Sequence, residues 1–222
     1  MKKAICTLLT FVMIFSLSAC GQATISENKS NNQATEENKA ENTTESSNAS
    51  AAVESSSTYT ASDKILIVYF SWSPSGNTEK MANTIKENTG GDILKIEPST
   101  PYPTDYSECG EVAKVERDEN ARPEIANLPT SLDEYSTIFV GYPIWWHTAP
   151  MIIGTFLENY NLTGKEIYPF TQSSSMDTEQ FNNSMDFVRN SAKGATVHDG
   201  LFVNAGDTDG IKSYLTSNGF AE

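Results

Sequence analysis

The chain has 222 residues and a formal net charge of −14. Residues 64–222 hold 11 Lys and Arg against 22 Asp and Glu, without a basic cluster, which argues against DNA or RNA as a partner. All three Trp lie after position 63, in a stretch long enough to bury one sizeable core.

In chain order, Lys2-Lys3 and the apolar run 4–17 read as the charged and hydrophobic regions of an export signal. The run falls short of the roughly 20 apolar residues that a membrane-spanning helix needs. It ends in Leu17-Ser18-Ala19-Cys20, which resembles the lipobox of bacterial lipoproteins. That likeness implies removal of residues 1–20 as a signal peptide up to a lipidated Cys20, and an ordinary secretory signal is the alternative. Residues 21–62 are dominated by Ser, Asn, Thr, Glu and Ala. Such a segment cannot bury enough apolar surface to offset its ordering entropy, so a disordered linker is expected. A flexible chain of that length spans roughly 35 Å. Cys109 is the one thiol beyond position 62, so no disulfide can form within the domain at 63–222.

The rest alternates between strand-like and helix-like segments. Residues 65–70 (Ile-Leu-Ile-Val-Tyr-Phe) form an uninterrupted apolar run, as in a strand covered on both faces. Helices are expected at 78–88, 105–120, 150–159, 178–192 and 208–217, and further strands at 92–97, 137–142, 166–170 and 196–203. In the second helix Val112 and Val115 are expected to face inward. Alternation with all-apolar strands means a parallel sheet with helices on both faces, a three-layer α/β domain. Ligands of such sheets sit beyond the carboxyl ends of the strands.

Two of the loops there stand out. Ser71-Trp72-Ser73-Pro74-Ser75-Gly76-Asn77-Thr78 puts hydroxyls, an amide and a permissive glycine at a helix N-terminus, where an anion is attracted. A Ser-rich cap turn would look the same. The loop is neither a Walker loop nor a Gly-x-Gly-x-x-Gly turn. Gly141-Tyr142-Pro143-Ile144-Trp145-Trp146-His147-Thr148-Ala149-Pro150 offers flat aromatic faces on which a planar ligand can stack, unless the Trp pair belongs to the core. His147 could donate to a ligand or cap the following helix. His198 is expected to be structural, Cys109 inert, and no His/Cys/Asp/Glu cluster suggests a metal.

Ser73-Pro74-Ser75-Gly76-Asn77-Thr78 resembles the Thr/Ser-x-Thr/Ser-Gly-x-Thr phosphate loop of flavodoxins, in a version two residues longer than that of related bacterial proteins. The 141–150 segment is similar to the flavin loop of flavodoxin-like oxidoreductases and quinone reductases. The resemblance covers most of residues 64–205. It implies a flavodoxin-like fold, a five-stranded parallel sheet in the order 2-1-3-4-5, with FMN as cofactor. Carried over by position, Ser71, Ser73, Ser75, Gly76, Asn77 and Thr78 would hold the phosphate end. Pro143, Ile144, Trp145, Trp146, His147 and Thr148 would line the ring, with His147 as candidate catalytic group. Thr171, Gln172 and Ser173 would form a third contact, although the glycines found there in the family are missing. Tyr102, Tyr106 and Arg122 could form a lid over the flavin or merely cap and pack a helix.

The implied function is an FMN-binding protein tethered outside the cell, either passing electrons between proteins or reducing a quinone-like small molecule. A domain this acidic should make the anionic reduced flavin costlier and lower its potential. Membrane contact is expected only through the anchor at Cys20. Without a twin-arginine signal the chain should leave unfolded through the Sec route and acquire its flavin outside. The alternative is a flavin-binding lipoprotein without turnover.

Overall fold

The computed structural model describes residues 64–221. The expected signal peptide, Cys20 and the whole of the expected linker lie outside the described residues. The strands are β1 (Lys64–Tyr69), β2 (Asp92–Lys95), β3 (Tyr135–Pro143), β4 (Glu166–Gln172), β5 (Thr196–Val197) and β6 (Leu201–Phe202). The helices are α1 (Asn77–Thr89), α2 (Tyr106–Asp118), α3 (Met151–Glu158), α4 (Thr178–Ser191) and α5 (Thr208–Ser217). All strand pairs are parallel, in the order β2-β1-β3-β4-β5, with β6 also on β4. This is the flavodoxin-like α/β topology expected.

Because side chains alternate along a strand, each central strand feeds two cores. Leu66, Val68, Ile138 and Val140 meet α2, α3 and α4 on one face. Ile67, Tyr69, Phe139 and Tyr168 meet α1 and α5 on the other. Ile67, Val68, Ile138, Phe139 and Val140 are fully buried, and such side chains contribute about 1.5–3 kcal/mol each relative to exposure. The register sets Val68 beside Val140, and Val140 beside Pro169, which brings the carboxyl ends of β1, β3 and β4 to one crest.

Two segments differ from the sequence expectation. The fifth strand is not one run over 196–203 but two short pieces, β5 and β6, on either side of His198-Asp199-Gly200. The Tyr214 hydroxyl donates to the Asp199 carbonyl at 2.6 Å. Gly200 lies so close to Met185 that a Cβ there would fall 2.5 Å from the sulfur. His198 stacks on Tyr168 at 4.1 Å and bonds Glu166, in line with a structural role. β2 ends at Lys95 instead of residue 97, because the Asn127 side chain donates to the Lys95 carbonyl (2.7 Å) and accepts from the Glu97 amide (2.9 Å). Those bonds close off an edge strand that would otherwise offer open backbone groups.

Candidate functional site

The loop between β1 and α1 is shaped by local bonds. Gly76 has φ +60, the left-handed region that glycine enters without strain, and its amide donates to the Ser73 carbonyl at 2.9 Å. The Ser73 and Ser75 hydroxyls lie 3.0 Å apart. What the loop lacks is a side-chain cap for α1. Asp105, Asp177 and Asp207 cap α2, α4 and α5, each accepting backbone N–H bonds. The N–H groups of the first turn of α1 have no side-chain cap, next to Ser73, Ser75, Asn77 and the buried Thr78. α3 also lacks a side-chain cap, but its first turn is buried in the core.

The loop between β3 and α3 is shaped by distant partners. A Cβ on Gly141 would fall 2.1 Å from the Phe170 ring, so only glycine lets β3 pass over that ring before the chain turns. Beyond it, Trp145 and Thr148 exchange backbone bonds of 2.9 and 3.0 Å across a two-residue turn. The central residues, Trp146 (φ +47) and His147 (φ +66), both occupy left-handed backbone. That is a type I′ turn, a geometry that favours Asn and Gly and strains larger residues. The Trp146 indole N–H donates to the Gly110 carbonyl at 2.6 Å, and the Arg117 guanidinium sits 5.4 Å over its ring. Trp145 packs edge-on against Phe70 (5.3 Å), Tyr102 (5.2 Å) and Trp72 (6.0 Å). Trp72 is itself fixed by an indole bond to the Pro103 carbonyl at 2.9 Å.

The loop after β4 contributes Gln172 to Ser175, with the Ser173 hydroxyl accepting the Met176 amide at 3.1 Å. Thr171 is not part of this surface. It is fully buried, and its hydroxyl donates to the Tyr142 carbonyl at 2.5 Å, stapling β4 to β3 beneath the crest.

These three loops and one face of α2 enclose a cleft of about 740 Å³, within the range of small-ligand sites. Of the residues singled out in the sequence, Ser71, Ser73, Ser75, Asn77, Thr78, Pro143, Ile144, Trp145, Trp146, His147, Gln172 and Ser173 line it. Gly76, Thr148 and Thr171 shape the walls without lining them. Tyr106 stands at the cleft, 83% exposed, whereas Tyr102 supports Trp145 from behind. Arg122 does not line it and is paired with Glu158 at 2.8 Å.

The α2 wall, with Ser107, Cys109, Gly110, Glu111 and Ala113, was not anticipated. Val112 and Val115, expected inward, are exposed, and Cys109 and Ala113 are the buried positions instead. The available signal was size: small residues at 109, 110 and 113 let the helix approach the Trp loop closely. Burial pushes the Cys109 thiol up to about 11, with the Glu116 carboxylate adding to it, so it is not a nucleophile at neutral pH. Among the described residues Glu111 is the one acidic side chain lining the cleft, and no Lys or Arg lines it. An uncapped helix N-terminus at one end and flat aromatic surfaces at the other suit a ligand with an anionic tail and a planar head.

A flavodoxin family model matches residues 64–218. The chain belongs to the flavodoxin family. A candidate flavoprotein from Bacteroides uniformis is 30% identical with a TM-score of 0.62, over 69% of this chain and 98% of that one. A second, from Bacteroides eggerthii, is 32% identical with a TM-score of 0.61, over 69% and 96%. A Lactobacillus acidophilus flavoprotein, solved in complex with FMN, is 25% identical with a TM-score of 0.55, over 66% and 97%. No match was found among curated proteins. As in other parallel α/β sheets, the cleft of this flavodoxin-family chain lies beyond the strand carboxyl ends.

Proposed function

We propose that FMN is the cofactor of this flavodoxin-family protein and that the protein works in electron transfer or in reduction of a quinone-like acceptor, tethered at the outer face of a membrane. The observation that carries the reading is the cap-less start of α1, facing the same cleft as the Trp145–Trp146 turn. The donor set fits the group. The α1 amides and the hydroxyls of Ser73, Ser75 and Thr78, with the Asn77 amide, would hold the phosphate by neutral donors and the helix dipole. Pro143, Ile144, Trp145 and Trp146 would cover the ring, and Gln172, Ser173 and His147 would reach its polar edge.

Bound there, FMN supplies one- or two-electron redox chemistry. The chain's own part is to orient, to exclude water and to set the electrostatic cost of reduction. Trp72, Phe70 and Tyr102 hold the Trp145 ring in place. Glu111 lines the cleft with no Lys or Arg beside it among the described residues, within a domain of excess negative charge, and this disfavours added negative charge and lowers the potential. Lipidation at Cys20 and a linker over 21–62 would keep the domain near the membrane without an apolar docking face of its own.

Titration of the full chain with FMN and with riboflavin, followed by quenching of flavin fluorescence, tests the cofactor. FMN should bind one to one and about tenfold or more tighter than riboflavin, the difference being the phosphate. Equal affinity for both would remove the phosphate loop from the reading, and no binding would remove FMN itself. Turnover of a quinone would separate a reductase from a flavin-binding lipoprotein without turnover. Cys20→Ala should abolish both lipid labelling and processing of the chain before residue 20, and a variant labelled and processed like the parent would overturn the tether.

A further inference from the structure

The Trp146–His147 turn is an unfavourable structure held by contacts from elsewhere. Two consecutive non-glycine residues sit at φ +47 and +66, and such backbone persists only where the surroundings impose it. The surroundings here are two groups on α2. The Gly110 carbonyl takes the Trp146 indole N–H at 2.6 Å, and Arg117 donates to the Trp146 carbonyl at 3.3 Å while covering its ring. Arg117 is itself steadied by Asp118, which Lys114 also holds at 3.0 Å. Trp146 is 38% exposed, so its ring stays partly open to solvent even in the latched form. Trp146 and Gly110 line the same cleft, with Arg117 holding the turn from outside it.

We propose that Arg117 is a positioning residue that latches the 145–148 turn to α2, making that turn a gate through which the planar head of FMN enters and leaves. Resting on the FMN reading above, the mechanism sets two free energies against each other. Turn strain drives the gate open, and the contacts of Arg117 and Gly110 with Trp146 draw it shut. Flavin exchange then follows the population of the open form.

The two sides can be altered separately, with opposite results. Arg117→Ala weakens the latch and should raise both the association and the dissociation rate of FMN by about tenfold, leaving the affinity changed by less than either rate. Arg117→Lys keeps the charge but loses the planar stacking and should fall between Arg117→Ala and the parent. His147→Gly relieves strain at a position where a type I′ turn prefers glycine and should slow both rates. In the flavin-free full chain, hydrogen exchange at the Thr148 amide, which closes the turn, should speed up in Arg117→Ala and slow down in His147→Gly. Faster dissociation with unchanged association in Arg117→Ala would make Trp146 a simple contact and overturn the gate. So would Thr148 exchange that ignores both substitutions. Failure of the parent protein to bind FMN would instead overturn the cofactor reading, and the exchange measurement would still judge the latch.

Discussion

The two loops that form the cleft reach their shapes by opposite means. The 73–78 part of the β1–α1 loop is closed by bonds within residues 73–80, through Gly76, Ser73 and Ser75, and only Trp72 before it leans on a distant partner, Pro103. The β3–α3 loop depends on Phe170 under Gly141, on Phe70 and Tyr102 against Trp145, and on Gly110 and Arg117 against Trp146. The first resembles a preformed socket for an anion, whereas the second is an aromatic wall that other elements hold up. Damage to the first should therefore appear in ligand affinity, and damage to the second in stability as well.

The sharpest challenge to this contrast is Gly141→Ala. Its methyl group would collide with the buried Phe170 ring, and the expected loss is about 3 kcal/mol of stability, read from urea unfolding. A loss below about 1 kcal/mol would mean that the second loop can adjust on its own. Trp145→Ala comes next. Removing a half-buried ring that touches Phe70, Tyr102 and Trp72 should cost about 2–3 kcal/mol and weaken FMN binding as well. Intact affinity alongside lower stability would confine Trp145 to packing.

On the other side of the comparison, Ser75→Ala should leave the unfolding midpoint nearly unchanged. It should weaken FMN by up to about tenfold, the worth of one hydrogen bond to a charged group, while leaving riboflavin unaffected. Equal weakening of both ligands would take Ser75 away from the phosphate.

The smallest effect concerns Glu116, whose carboxylate accepts the Tyr102 hydroxyl at 2.8 Å behind Trp145. Burial holds the Glu116 carboxyl above its ordinary value, and the Tyr102 bond offsets part of that. A carboxyl raised in the folded state binds its proton more readily there than in the unfolded chain. Its favourable contribution is therefore present at acid pH and fades as pH climbs from the ordinary carboxylate range through the raised value. Glu116→Gln, which keeps an acceptor for Tyr102, should flatten that part of the stability–pH curve and add slightly to stability at neutral pH. An unchanged curve would show that the carboxyl is better solvated than its position suggests.

Much of this was legible in residue order, because the signals involved are local. The apolar run at 65–70 reads as a strand covered on both sides, and its alternation with amphipathic helices set the parallel sheet. The Ser73–Thr78 turn marked a helix start, since Gly76 and short hydroxyl side chains act over a few residues, but left open whether those hydroxyls cap it, which the structure shows they do not. Other features had no local signature. The inward face of α2 was misread because Val112 and Val115 are its more hydrophobic residues, whereas close approach to the Trp146 turn selected Cys109, Gly110 and Ala113 for their size. The break between β5 and β6 arises from Tyr214 and Met185, contributed by two other helices. Thr171 looked like a ligand donor until the Tyr142 carbonyl claimed its hydroxyl.

Composition and short-range pattern thus determined the layers of the sheet, the position of the cleft and the helix start at one end of it. They did so because burial of alternate side chains and the orphan amides of a helix start depend on near neighbours alone. Which groups face the cleft, how the Trp turn is kept in a strained form, and which side of α2 forms a wall were decided only when segments distant in the chain came together. Packing volume and long-range hydrogen bonds settle such questions, and neither is written in any one stretch of sequence.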